Sequence, residues 1–228
     1  MRMKVMKCQT NGNDFIIMPN VQLSTKQIIQ MCDRHYGIGC DQLIMFKQVN
    51  KNTFELLFYN NDGLIANMCG NGSCAFTLFA NKYISKNINE FYIHVCNNQY
   101  KTTILNNKVN ITFPMPYYIR SNIICTGNYH KIYDIKNINN LKKIHNKYPT
   151  CNIHFIKDNI KDNSVKVITY ERGAGRTLAC GSGAIAIAFF LNKSTKIIHE
   201  GGISEVLLSK NSMQLITEPR IVCECVIL

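Results

Sequence analysis

Two stretches of the chain decide how it is interpreted: CGNGSCAFTLFANK at Cys69–Lys82 and CGSGAIAIAFFLNK at Cys180–Lys193. Seven of their fourteen positions are identical, and they start 111 residues apart, close to half of the 228-residue chain. An internal repeat of this kind indicates two similar halves. In each copy a Cys-Gly-x-Gly motif precedes a nearly continuous apolar run, which predicts a helix buried on most of its sides.

Outside the repeat, the sequence is rich in short β-strand patterns separated by turns of Asn, Asp and Gly. Ser24 and Gln27 form a capping box, which predicts a helix that ends near Gly37. A second, surface helix is predicted over 139–147, before Pro149. The predicted strands are Phe54–Tyr59, Phe91–Val95, Thr102–Leu105, Val109–Phe113, Ile153–Ile156, Val165–Tyr170 and Glu205–Leu208.

These patterns predict an α/β (α+β) fold made of two pseudo-symmetric half-domains. We expect each to wrap a mostly antiparallel β-sheet or barrel around its central helix, with the active site in the cleft between them. Pro114 and Pro116 interrupt the strand patterns at mid-chain, which suggests a boundary. The N-terminal half-domain is therefore predicted at 1–116, joined by the last strand at about 220–228, and the C-terminal one at 117–219.

Composition restricts the classes of function. The formal net charge is +12, but the lysines are scattered, which is typical of a solvated surface rather than a nucleic-acid interface. A basic nucleic-acid-binding protein remains an alternative, and it would bind in a salt-sensitive way. No apolar run reaches the ~18 residues of a membrane span, and the N-terminus lacks the apolar core of a signal peptide. We therefore expect a cytoplasmic chain without membrane partners.

The cysteines carry the chemistry. There are 11 of them and no C-x-x-C spacing, so we expect free thiols and predict no metal site. A helix N-terminus carries unpaired N–H groups and partial positive charge, which bind an anion and lower the pKa of a thiol. Two such motifs flanking one carboxylate suit proton transfer at the neighbouring carbon: a thiolate removes the proton and a thiol returns one to the opposite face. Neither a pyridoxal group nor another cofactor is needed.

A dinucleotide-binding site is the alternative interpretation of the repeat. Both copies fit G-x-G-x-x-A, and acidic residues follow at Glu90 and Glu200. The segments before the cysteines, 60–67 and 171–178, are polar and turn-like rather than strands, which argues against it.

Further motifs occur across nearly the whole chain, and together they resemble the diaminopimelate epimerase family, whose members use two thiols and no cofactor. The motifs are Gly12–Phe15, Arg34–His35, Gly37–Gln42, Tyr59–Gly63, Cys69–Gly72, Gly127–His130, Asn152–Phe155, Tyr170–Gly175 and Ala179–Ala184. The resemblance implies an isomerase that interconverts LL- and meso-diaminopimelate in lysine and peptidoglycan precursor biosynthesis. It also implies a homodimer. A racemase or epimerase of another amino acid with the same chemistry is the alternative.

The resemblance also implies roles for individual residues. Cys69 and Cys180 would be the acid–base pair, assisted by His130 and Glu171, with His130 titrating near neutral pH. The other residues would bind the substrate. The carboxylate at the reacting end would be bound by the backbone N–H groups of Gly70, Asn71, Gly181 and Ser182, and Asn13 and Gln42 would help to hold the reacting amino acid. The distant end would be held by Asn60, Asn152 and Arg172.

Overall fold

The computed structural model describes residues 3–120, 123–134, 141–160, 163–172 and 174–227. The chain divides into two compact units, Met1–Ile111 with Glu218–Leu228, and Thr112–Thr217. We call them unit 1 and unit 2. Among the described residues, no helix combines the length and the hydrophobicity that crossing a membrane requires.

Unit 1 is a strand-rich layer built around one buried helix. Its strands are β1 (Met3–Thr10), β2 (Asn13–Pro19), β3 (Gln42–Asn50), β4 (Thr53–Asn60), β5 (Ile65–Ala66), β6 (Glu90–Val95), β7 (Asn98–Leu105), most of β8 (Lys108–Pro114) and, from the end of the chain, β18 (Arg220–Ile227). Its helices are α1 (Thr25–Cys32) and α2 (Gly70–Phe79), the latter followed by a π-helical turn at Ala80–Ile84. All ten residues of α2 are buried.

Unit 2 repeats this arrangement around a second buried helix. It contains β9 (Tyr117–Arg120), β10 (Ile123–Cys125), β11 (Tyr129–Asp134), α3 (Leu141–Asn146), β12 (Asn152–Ile160), β13 (Ser164–Glu171), β14 (Gly175–Thr177), α4 (Gly181–Phe190), β15 (Thr195–Ile198), β16 (Ile203–Leu208) and β17 (Ser212–Thr217). Residues 181–188 of α4 are all buried. The first part of the predicted helix 139–147 lies outside the described residues, and α3 accounts for the rest.

The strand pairing shows that the sequence repeat is a repeat of topology. In unit 1, the β1–β2 hairpin pairs in parallel with β3, which pairs antiparallel with β4; β6, after the helix, returns parallel to β4. In unit 2, β10–β11, β12, β13 and β15 repeat each of these pairings in the same order. Most pairings in both units are antiparallel. The predicted α+β fold with two pseudo-symmetric halves, each formed around a central helix, is therefore confirmed.

The register of these pairings defines equivalent positions in the two units. Phe15 pairs with Gln42 where β2 meets β3, and His130 pairs with Asn152 where β11 meets β12. Phe15 is therefore equivalent to His130, and Gln42 to Asn152.

The predicted capping box at the start of α1 is present, with Ser24 and Gln27 making both reciprocal hydrogen bonds. The helix nevertheless ends at Cys32, earlier than predicted. The Asp33 carboxylate accepts hydrogen bonds from the backbone N–H groups of His35 and Tyr36, both 2.7 Å long. These bonds favour a turn where the sequence pattern alone allowed the helix to continue.

Candidate active site

The two repeat cysteines are the N-caps of the two buried helices. Cys69 precedes α2 with φ −134° and ψ 109°, and Cys180 precedes α4 with φ −133° and ψ 111°. Each sulfur accepts a hydrogen bond of 3.3 Å from the third residue of its helix, Gly72 or Gly183. A sulfur in this position lies at the positive end of the helix, where the thiolate form is favoured.

The first helical residues after each cysteine provide backbone N–H groups for an anion. In α2 these are Gly70 and Asn71, and in α4 they are Gly181 and Ser182. The N–H groups of a first turn have no partner within the helix, so they can donate to a carboxylate. Ser182 adds a hydroxyl 3.6 Å from the Cys180 sulfur.

In unit 1, Asn13 lies beside Cys69. The Asn13 Oδ1 atom is 3.8 Å from the Cys69 sulfur and 3.5 Å from the Nδ2 of Asn71. Its own Nδ2 donates a 2.8 Å hydrogen bond to Asp41. Because the Asn13 amide group is held by Asp41, its carbonyl oxygen is directed towards the thiol.

Asp41 is part of a charged network that fixes the start of β2. Arg34 donates to both Asp14 and Asp41, at 2.8 and 2.7 Å, and Lys7 donates to Asp14 at 2.7 Å. Burial acts to raise the pKa of Asp14, but the hydrogen bonds from Arg34 and Lys7 outweigh it and hold this pKa well below its usual range. Asp14 is therefore ionised, and the network anchors the strand that carries Asn13.

Gln42 and Asn60 lie opposite each other on β3 and β4, and Gln42 Nε2 donates a 2.8 Å hydrogen bond to Asn60 Oδ1. The Gln42 Oε1 atom is buried and has no hydrogen-bond partner within the described part of the chain. This arrangement leaves one buried acceptor for a donor such as an ammonium group.

The corresponding corner of unit 2 contains Asn152, Glu171 and Arg172. The Arg172 backbone N–H donates to Asn152 Oδ1 at 2.9 Å, and Thr177 Oγ1 donates to Glu171 Oε1 at 2.7 Å. The ends of β12 and β13 thus bring an amide, a carboxylate and an arginine to one place. This combination suits an amino acid, which carries both ammonium and carboxylate groups.

His130 lies in a different environment from the one predicted. Its side chain is completely buried, and its Nδ1 lies 2.9 Å from the Nε2 of His154. Burial lowers the pKa of His130 to about 3, so the ring is neutral at neutral pH rather than titrating there. His154, whose Nδ1 is 3.1 Å from Thr169 Oγ1, contacts this predicted site residue. It belongs to the Asn152–Phe155 motif but was interpreted as structural.

The repeat register adds a residue that the sequence analysis did not select. Asn13 precedes Phe15 by two positions, and Asn128 precedes the equivalent His130 by two positions. Asn128 is thus the counterpart of Asn13 in unit 2. The signal was present in the Gly127–His130 motif, but aligning the two halves there requires the strand register.

The dinucleotide-binding alternative finds no support in the geometry. The strand before the first glycine motif, β5, has two residues and pairs antiparallel with β4, whereas a Rossmann fingerprint follows a parallel strand. Glu200, the acid expected to bind a ribose, forms a 3.0 Å hydrogen bond with Arg176 instead.

Comparisons with known proteins agree on one family. The family model described as diaminopimelate epimerase matches residues 5–117. The chain is 33% identical over 217 residues to a diaminopimelate epimerase of Flavobacterium psychrophilum, covering 85% of this chain and 83% of that one. It is 32% identical over 213 residues to a diaminopimelate epimerase of Campylobacter jejuni, covering 85% and 84% of the two chains.

Solved structures with low sequence identity share the fold. A phenazine biosynthesis protein of the PhzF family from Enterococcus faecalis matches with a TM-score of 0.74 at 9% identity, over 100% of both chains. A hydroxyproline epimerase from Agrobacterium vitis matches with a TM-score of 0.68 at 10% identity, over 99% of this chain and 91% of that one.

Proposed function

Because the chain belongs to the diaminopimelate epimerase family, and is accordingly an isomerase that epimerises diaminopimelate, we propose that Cys69 and Cys180 are the two acid–base groups of this reaction. The observation that carries the proposal is their matching position. Both sulfurs cap a buried helix and accept the same 3.3 Å hydrogen bond from a backbone N–H group. Epimerisation needs a base on one face of the α-carbon and an acid on the opposite face. In the reverse reaction the two groups exchange these roles. Two equivalent thiols meet this requirement.

In the proposed reaction, one cysteine is a thiolate and the other a thiol. The thiolate removes the proton from the α-carbon, and the thiol donates its proton to the opposite face, so the centre inverts. Negative charge develops on the α-carboxylate as the first proton leaves. The first-turn N–H groups of Gly70 and Asn71, and of Gly181 and Ser182, stabilise this charge. No cofactor takes part in this scheme.

The remaining predicted residues bind the substrate in this proposal. Asn13 and Gln42 hold the reacting amino acid, and Gln42 supplies its buried Oε1 as an acceptor. Asn60, Asn152 and Arg172 hold the distant end. Glu171 meets an ammonium group. His130 acts as a neutral hydrogen-bonding group, because burial keeps its ring uncharged.

We also propose, from family membership, that the enzyme acts in the cytoplasm in lysine biosynthesis and forms a homodimer. Size-exclusion chromatography with light scattering measures the oligomeric state, and a monomer at micromolar concentration would contradict that part.

The proposal is tested by incubating the enzyme with each purified stereoisomer of diaminopimelate in heavy water that contains a reductant. The incorporation of deuterium into the amino acid is then measured. The wild-type enzyme is expected to introduce deuterium at one α-carbon while epimerising. Cys69→Ala and Cys180→Ala should each lower epimerisation by at least ~100-fold, since each removes a general acid–base group. Cys223→Ser, which changes an exposed thiol on β18, is the matched control and should retain activity. Near-normal turnover by either alanine variant would reject the two-thiol mechanism.

Substrate choice is tested separately at the distant end. Arg172→Lys keeps the charge but loses the bidentate geometry that recognises a carboxylate. We expect a higher KM for diaminopimelate with a smaller change in kcat. An unchanged KM would remove Arg172 from the binding site and favour a different amino acid substrate.

A further inference from the structure

A buried polar cluster lies beneath the first turn of α4. The His130 and His154 side chains are completely buried, and Thr169 is almost so. The ring of His154 lies directly against Gly183, since a Cβ atom on that glycine would be 2.2 Å from His154 Cε1. The imidazoles therefore lie immediately behind the turn that carries Cys180.

Unit 1 shows that the fold does not require polar residues here. By the strand register, the positions of His130, His154 and Thr169 are equivalent to Phe15, Ile44 and Phe58. These three apolar side chains surround Gly72 at 3.1, 3.2 and 2.8 Å from its hypothetical Cβ. Hydrocarbon side chains thus suffice under a helix of this kind.

Burying a polar group is unfavourable unless it forms hydrogen bonds. The polar side chains of unit 2, at positions where unit 1 has apolar ones, therefore point to a function. The Nε2 atom of His130 has no hydrogen-bond partner among the described residues, although it is fully buried. An unpartnered imidazole nitrogen in a closed site is suited to a ligand that accepts a lone pair.

We infer that His130, His154 and Cys180 form a binding site for a thiophilic divalent cation such as Zn²⁺. One ligand atom from each residue lies within 4.8 Å of the other two, and this is the one such trio found in the described residues. Imidazole nitrogen and thiolate sulfur are both donors that Zn²⁺ prefers, and three protein ligands leave a fourth position for solvent. Thr169 Oγ1, 3.1 Å from His154 Nδ1, is the outer partner that orients a metal-binding imidazole.

Binding exchanges one proton for the ion: the Cys180 thiol releases its proton to solvent, and the sulfur binds the cation as a thiolate. His130 binds through Nε2, and His154 binds through Nε2 in place of its 2.9 Å hydrogen bond with His130 Nδ1. The consequence for activity rests on the proposed function. With its sulfur bound to the ion, Cys180 can neither remove nor return the α-proton, so zinc reversibly inhibits the enzyme. Cys69, whose helix is backed by apolar residues, belongs to no such trio among the residues that the structure describes.

The test is a titration with Co²⁺, whose thiolate charge-transfer and visible bands report a sulfur ligand and four-coordinate geometry. It uses the full chain with a non-thiol reductant, in a Cys223→Ser background because Cys223 and Cys225 lie 3.6 Å apart at the surface. We expect one equivalent to bind with these bands. His154→Gln should weaken binding by at least ~100-fold, a loss at least as large as that from changing an outer partner. His199→Gln, a buried histidine of unit 2 outside the trio, is the matched control and should bind normally.

X-ray absorption on the wild-type chain with one equivalent of Zn²⁺ keeps the inference testable if a variant fails to fold. A first shell with one sulfur and two imidazoles supports it, whereas a shell of several sulfurs, or of oxygen alone, overturns it. So does Co²⁺ binding that is unaffected by His154→Gln. The two proposals fail separately. If the metal binds Cys180 in wild type but Cys180→Ala stays active, only the mechanism is rejected. If Cys180→Ala is inactive but the wild-type chain binds no metal, only the site is rejected.

Discussion

Mild acid is expected to destabilise unit 2 through its buried histidines, and His199 allows the effect to be measured apart from the candidate site. Burial lowers the pKa of His199 from 6.5 to about 4. The folded-state pKa is below the unfolded one, so the unfolded chain binds more protons as the pH falls below 6.5. Stability is therefore lost progressively from pH 6.5 down to about 4. For one such imidazole, going from pH 6.5 to 5 removes ~1.6 kcal/mol of unfolding free energy.

The measurement is urea denaturation of wild type and His199→Gln at pH 6.5 and pH 5, with a chelator present. Glutamine can still donate a hydrogen bond to Ser204, whose Oγ lies 3.2 Å from His199 Nε2, but it takes up no proton. The variant should lose ~1.6 kcal/mol less than wild type over this interval. His35→Gln, in an exposed turn, is the control and should follow wild type. Equal losses in wild type and His199→Gln would refute the claim that burial keeps this imidazole neutral.

Three further outcomes are expected. Gly183→Ala should lower the thermal midpoint more than Gly72→Ala, because its Cβ would lie 2.2 Å from the ring of His154, against a nearest contact of 2.8 Å at Gly72; equal midpoints would contradict this packing. Ser24→Ala should cost ~1 kcal/mol in urea denaturation by removing the cap of α1, with turnover unchanged. Asp14→Asn should cost ~2 kcal/mol, since Lys7 loses its carboxylate partner whereas Arg34 keeps Asp41, and a loss near zero would show that the network is not stabilising.

The sequence was most informative where local chemistry determines structure. The apolar runs after each Cys-Gly-x-Gly motif predicted the buried helices. Short runs of β-favouring residues between turn signals predicted strands such as β4 and β6. The strands β1 and β2 were not among the predicted ones, whereas a last strand was predicted at about 220–228, where β18 (Arg220–Ile227) lies. The pairing of β1 with β18 joins the two ends of unit 1, and contacts of such sequence separation leave no local pattern.

In the candidate site, too, the sequence predicted the features that depend on local motifs and missed those that depend on contacts between distant strands. The two cysteines were selected because a motif and its repeat identify them directly. The burial of His130 was not predicted, because it depends on His154 and Thr169 from two other strands. The prediction of no metal site rested on the absence of C-x-x-C spacing. The site proposed above uses side chains from β11, β12 and the N-cap of α4, which sequence spacing does not connect.

The pairing of β1 with β18 has a consequence for how the polypeptide is made. These strands pair from Met3 opposite Ile227 to Gln9 opposite Arg220, with one register shift between Lys7 and Cys8. A ribosome synthesises β1 before β18, with the whole of unit 2 between them, so this edge of β1 stays uncovered until unit 2 has been made. Unit 2, which is continuous in sequence, can condense earlier, the reverse of the usual order in which N-terminal domains fold first. During that delay β1 is an open edge, and edges of this kind are where nascent chains adhere to one another or recruit chaperones.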